Sequence, residues 1–140
     1  MLRHWDDPLM VTNLAFLFPA LVFREGGMHL YAMLYVCIFV ASNLYHRWRE
    51  TRFLYLDMTF AGTAFAVCIL HNFLTLNDPG QHIINAMCVL FYPVMCRICG
   101  ESRCRRYQIV HSLWHVFVSG GSAHWAFLLL NQARSMKQSE

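Results

Sequence analysis

The sequence predicts an all-α fold, a polytopic membrane helix bundle of about five transmembrane helices. Three observations predict it. Of 140 residues, 57% are hydrophobic and only 14% charged, where a soluble domain carries about 25% charged residues. The apolar residues fall in blocks separated by short polar gaps. The blocks approach the roughly 20 residues that a helix needs to cross the bilayer. A chain of this length makes one domain, divided here into a helical region over residues 1–132 and a polar tail over 133–140.

The first block runs from Leu9 to Phe23. It is short and contains Pro19, which predicts a kink. The second runs from Met28 to Tyr45, the third from Phe53 to Leu76, the fourth from Ile83 to Cys99 with Pro93 inside, and the fifth from Tyr107 to Leu130. The gaps "REGG", "HRWRET", "NDPGQ" and "GESRCRR" are all short, so consecutive helices are expected to be antiparallel. The closing "NQARSMKQSE" is polar and is expected to fray. "MLRHWDDPLM" does not have the form of a cleavable signal, since Asp6, Asp7 and Pro8 interrupt its basic start. The first apolar block is therefore taken as retained.

With five spans, Arg3, Arg47, Arg49, Arg52, Arg97, Arg103, Arg105 and Arg106 share one side, and Arg24, Arg134 and Lys137 the other. That asymmetry places the first side in the cytoplasm. Trp5, Trp48, Tyr92 and Tyr107 suit interfacial anchoring. Cys37, Cys68 and Cys88 lie within apolar blocks, where a thiol behaves as a small hydrophobe. Cys96, Cys99 and Cys104 flank a basic loop. A three-thiolate zinc knuckle there lacks a nearby fourth ligand. Juxtamembrane palmitoylation is an alternative, and unmodified thiols are the default.

The chemistry sits in polar residues at membrane depth, where ionisable groups are costly and mark function. His46 ends the second block, in "SNLYHRWRE". Asp57, in "LYLDMTF", lies one turn into the third. His111 and His115, in "IVHSLWHVF", open the fifth. The five-span topology puts all four on one membrane side. His111 and His115, four residues apart, share a helix face and suit chelation of one cation. His46 would complete a three-histidine site with a fourth position open to water, which is the catalytic zinc arrangement. Zinc lowers the pKa of its water from 15.7 towards about 7. Asp57 is then placed as general base. Ser42, one turn from His46, is placed to orient a ligand or donate to an oxyanion. Each piece also has a plainer explanation. A histidine pair at a helix end is often interfacial, a buried Asp is often paired, and a helical Ser often bonds the preceding carbonyl.

The remaining histidines are assigned no chemistry. His4 and His29 lie near a terminus and a block start, and His71 and His82 fall on the opposite side. His124 is expected to pack or to line a cavity. "SGGSAH", Ser119 to His124, offers small residues for close helix approach or room for an acyl chain.

The order SxxxH, then Asp, then HxxxH, each on its own membrane helix, resembles the CREST superfamily of alkaline ceramidases, progestin and adiponectin receptors and myomaker-like proteins. "NLAFLFPALVF", "MHLYAMLYVCIFVASNLYH", "DMTFAGTAFAV" and "VHSLWHVF" are most similar to the myomaker branch. The resemblance implies a Zn²⁺ ion held by His46, His111 and His115, a water between it and Asp57, and Ser42 nearby. It also implies seven membrane helices, so this chain would be a compact version lacking two spans between Asp57 and His111. Relatives in that group hydrolyse lipid amides or act as phospholipases, and myomaker acts in cell fusion. Its relatives place the site outward or lumenal, opposite to the side given by the arginines.

Two functions follow as expectations. One is a membrane-embedded zinc-dependent hydrolase of a lipid amide or ester bond, with an acyl chain entering between helices. The alternative is a non-catalytic, myomaker-like fusion or signalling protein with a structural zinc. A channel or transporter is disfavoured, since no inverted repeat is visible. The expected partner is a membrane lipid, with a homo-oligomer also open and no nucleic acid.

Overall fold

The computed structural model describes residues 8–98 and 105–138, and every element in them is helical. The first rod joins α1 (Pro8–Thr12), a 3-10 stretch (Asn13–Phe16) and α2 (Leu17–Glu25). Pro8 opens it at the position where a missing N–H costs nothing. Pro19 falls in the first turn of α2. Its ring crowds the carbonyl four residues back, and the chain tightens into 3-10 geometry just there. The kink expected at Pro19 therefore takes the form of a wound-up turn before it.

Gly26 and Gly27 close the rod. Gly27 adopts φ 73°, while Met28 N–H bonds Phe23 C=O at 2.9 Å and Gly27 N–H bonds Arg24 C=O at 3.0 Å. These paired bonds satisfy carbonyls that a helix end leaves open. Helix α3 (His29–Trp48) follows and stops at Arg49, which takes the left-handed conformation. Helix α4 (Thr51–His71) widens into a π turn (Asn72–Leu76) and ends on left-handed Asn77. Asp78 then caps α5 (Pro79–Ile98), its Oδ1 accepting from Gln81 N–H at 2.7 Å. Buried Asn72 braces the same corner through bonds to Asp78 N–H and C=O.

Helix α6 (Arg105–Gln138) is the longest. It runs past the apolar block and through the polar residues expected to fray, as far as Gln138. Gln132, Ala133, Arg134, Met136 and Lys137 are good helix formers, and they carry the helix on without burial.

The first rod packs against α3 and α6, α3 against α4, and α5 against α6. Directions follow from the contacts. Thr12 meets His115, and Phe18 meets Phe127, so the first rod and α6 run the same way. Asn13 meets Ser42 while Phe23 meets Tyr31 and Tyr35, so α3 runs opposite. Gln81 meets His124 and Ile84 meets Gly121, so α5 runs opposite to α6.

Phe23 and Trp125, both fully buried, centre the core. Their ring centroids lie 5.2 Å apart edge-to-face, with Tyr31 and Tyr35 completing the cluster. Such geometry adds about 0.5–1.5 kcal/mol per pair beyond area burial. Gly121 lets α5 approach α6, since a Cβ there would stand 2.6 Å from Ile84 Cγ2.

The outer surface is as apolar as the core. Leu30, Tyr55, Met58, Leu70, Phe73, Leu74 and Leu113 are all more than half exposed. Among the described residues three helical stretches, Pro8–Glu25, Thr51–Leu76 and Gln108–Gln138, are long and apolar enough to cross a membrane. Five helical rods stand where five blocks were expected, and three of them meet that requirement. Cys37, Cys68 and Cys88 are free thiols. The loop holding Cys99 and Cys104 lies outside the described residues.

Candidate metal centre

His46 comes from the last turn of α3, and His111 and His115 from the second and third turns of α6. Opposed chain directions bring these two helix ends to one end of the bundle. There the three imidazoles converge. Ring centroids are 4.9 Å apart for His46–His111, 5.3 Å for His46–His115 and 4.6 Å for His111–His115. One ring nitrogen from each lies within 4.8 Å of the other two. His46 and His115 are buried, at 2% and 4% exposure, so two of the donors are already out of water.

The donor set suits a divalent ion. Neutral imidazoles are the commonest protein ligands for zinc, copper and nickel. A tetrahedral zinc would hold such nitrogens about 3.4 Å apart, given metal–nitrogen bonds of about 2.1 Å. Three imidazoles facing one another, two of them buried, also lack any reason to assemble as an apolar core.

Thr12 supplies independent support. Its Oγ1 donates its only proton to Pro8 C=O at 2.7 Å. The same oxygen lies 3.3 Å from His115 Nδ1. With that proton on Pro8 C=O the hydroxyl accepts from Nδ1–H, and this tautomer leaves the Nε2 lone pair for a cation. A metal-ligating histidine usually has its other nitrogen held in this way. Phe16, with its ring centroid 5.5 Å from that of His115, walls the same side.

Ser42 and Asp57 stand beside this cluster. Ser42 is 1% exposed, and its hydroxyl donates to Asn13 Oδ1 at 3.1 Å. Asp57, half-buried on α4, lies near Ser42. Asp57 is not a member of the nitrogen cluster.

The structure brings His46, His111 and His115 together, and ties Ser42 to Asn13. His124 bonds Gln81 Oε1 at 2.9 Å through Nδ1 and belongs to a separate buried polar group at the opposite end. His71 packs its ring 6.1 Å from Trp125, also away from the cluster. Sequence reasoning missed Thr12 and Asn13. The available signal was "VTNL", two adjacent polar residues opening an apolar block at the His46 end of the bundle.

No family model matches the chain, and the searches of curated proteins and of solved structures find no significant match either.

Proposed function

We propose that this chain is an integral membrane, zinc-dependent hydrolase that cleaves an amide or ester bond of a lipid. The convergence of three imidazoles on one point carries this proposal. His46, His111 and His115 would hold the zinc. When bound, zinc supplies an acidified water and polarises a carbonyl. Asp57 takes the proton from the attacking water and returns it to the leaving amine or alkoxide. Ser42 holds the Asp57 carboxyl in place. Three protein ligands leave one position open, as catalytic zinc sites do, where structural sites are closed by four.

The lipid assignment rests on surroundings. Apolar side chains cover the bundle's exterior, and contiguous patches of that size on a monomer mark a lipid or partner surface. A substrate dissolved in the bilayer reaches a site at the end of the bundle without leaving hydrocarbon. The order SxxxH, Asp, HxxxH resembles the CREST superfamily, whose members include lipid amidases, and this supports the same choice. The alternative, a structural zinc clamping α3 to α6, makes the opposite prediction for Asp57.

The test is metal analysis and turnover on purified protein in detergent. A fluorescent N-acyl sphingoid base and a fluorescent phospholipid serve as probes. A hydrolase contains about one zinc per chain, loses the metal in His115→Ala, and keeps the metal but loses turnover in Asp57→Asn. Zinc with full membrane function in Asp57→Asn supports the clamp instead. No zinc in the wild type removes both.

A further inference from the structure

We propose that a slot between α3 and the end of α4 binds a single-chain lipid with an uncharged, hydroxyl-bearing head. This second site lies across the bundle from the histidine cluster and stands apart from the hydrolase proposal.

The slot has a volume of about 280 Å³. Tyr31 of α3 forms one wall. Val67, Leu70 and His71 of α4, with Leu74 and Thr75 of the π turn, form the other. Leu70 and Leu74 are more than half exposed, so the slot opens on the flank of the bundle. Residues 67, 70, 71, 74 and 75 follow the i, i+3, i+4, i+7 spacing of one helix face. From Val67 to Thr75 that face runs about 12 Å, at 1.5 Å per residue. A slot of this volume drawn out over that length is narrow. It has the shape for one hydrocarbon chain rather than for a fused ring system. Pockets that enclose a whole drug-sized ligand run from about 300 to 1,000 Å³. This one therefore takes the head and the first part of a chain, and the remainder lies along the apolar flank of α4.

The walls are not purely apolar. Tyr31, His71 and Thr75 bring a phenol, an imidazole and a hydroxyl, and none of these side chains hydrogen-bonds to another described residue. Tyr31 and His71 both pack edge-on against Trp125, with ring centroids 5.3 and 6.1 Å away. Trp125 is fully buried, and its Nε1–H has no acceptor. Hydrocarbon offers no partner to any of these groups. Phenol, imidazole and hydroxyl all both donate and accept, which is the complement of a hydroxyl-bearing head. No Lys, Arg, Asp or Glu lines the slot. Nothing there would offset the cost of desolvating a phosphate or carboxylate head. The helix also widens into its π turn at this point, and such turns recur at functional sites. Tyr31 stands about 22 Å from His46 along α3, so the head is bound at the far end of the bundle.

The test uses the purified chain in detergent and a 1-O-alkylglycerol carrying a diazirine in its alkyl chain. The ether linkage resists any hydrolase of amides or esters. Photolabelling followed by peptide mass spectrometry is expected to place the label on Tyr31 and on residues 67–75. Excess unlabelled alkylglycerol should remove most of that label, whereas a fatty acid or a lysophosphatidic acid of equal chain length should leave most of it. Leu70→Trp fills the slot and should abolish labelling there. Val67→Phe takes its place should Leu70→Trp lose its helical circular dichroism. Label spread evenly over the exposed helix faces overturns the proposal, and so does label that survives the filled slot. Equal competition by the charged lipids overturns it as well. Zinc content is measured on the same samples and should not change in Leu70→Trp. A metal-free wild type that labels in the slot sinks the hydrolase and leaves this site standing, and a zinc-loaded wild type without slot label does the reverse.

Discussion

Thr12 Oγ1 stands 3.3 Å from His115 Nδ1, with its own proton held by Pro8 C=O. That contact holds Nδ1 of His115 and leaves Nε2 as the nitrogen to meet a cation. Thr12→Val keeps the shape and removes the acceptor. The expected result is a zinc affinity weakened about 10–100-fold, the usual cost of losing such a partner. The helix should persist, because the Thr12 bond to Pro8 is local. Competition with a chromogenic chelator measures the affinity, and circular dichroism checks the helix.

Zinc should stabilise the folded chain. A ligand at one hundred times its Kd contributes about 2.7 kcal/mol, provided that it ignores the unfolded state. For a chain of this size that is a rise of several degrees in Tm, at about 2–4 °C per kcal/mol. His111→Ala should abolish the rise. Lower pH should shrink it in the wild type, because protons compete with the metal for the same three imidazoles. Melting with and without zinc at two pH values reads both effects.

Gly121 allows α5 to close on α6. Gly121→Ala places a methyl 2.6 Å from the β-branch of Ile84, which cannot swing clear as a long side chain would. A destabilisation of about 1–3 kcal/mol is expected from such overpacking. Ile84→Ala in the same chain should restore much of it, a non-additivity that a melting series on the two single variants and the double variant would show.

Gln81 joins three groups at the end of the bundle away from the histidine cluster. Its Oε1 accepts from His124 Nδ1–H at 2.9 Å, and its amide nitrogen donates to Asn85 Oδ1 at 3.1 Å and Cys68 Sγ at 3.3 Å. Gln81→Leu leaves these partners buried without it. The expected cost is about 1–3 kcal/mol for each polar atom stranded. Zinc content should be unchanged, since the lesion lies across the bundle. Thermal melting and metal analysis on one preparation check the pair of outcomes.

Apolar block length and short gaps were enough to place five helical rods, and the i, i+4 spacing of His111 and His115 was enough to pair them. His46 joined that pair through topology alone, because an odd number of helix reversals separates the end of α3 from the start of α6. Less legible was anything that depends on side-chain direction within a helix. Nothing in "VTNLAF" announces a 3-10 turn at Asn13, and it is that turn which aims Asn13 at Ser42. The Gln81–His124 bond was invisible for a similar reason. Neutral amides are ordinary near helix starts, and only the packing of α5 on α6 buries this one. The polar end of α6 was misjudged because burial, rather than propensity, was used to stop the helix.

Helix α4 is barely covered: only 11% of its most apolar window is buried by the rest of the chain. Asp57 rides on that helix, while all three histidines ride on α3 and α6. In a bilayer, the spacing between the carboxyl and the imidazoles would therefore be governed partly by the acyl chains pressing on α4 from outside. A thicker or stiffer bilayer would tilt this one helix before it disturbed the others, and in doing so would retune the chemistry without touching a single ligand.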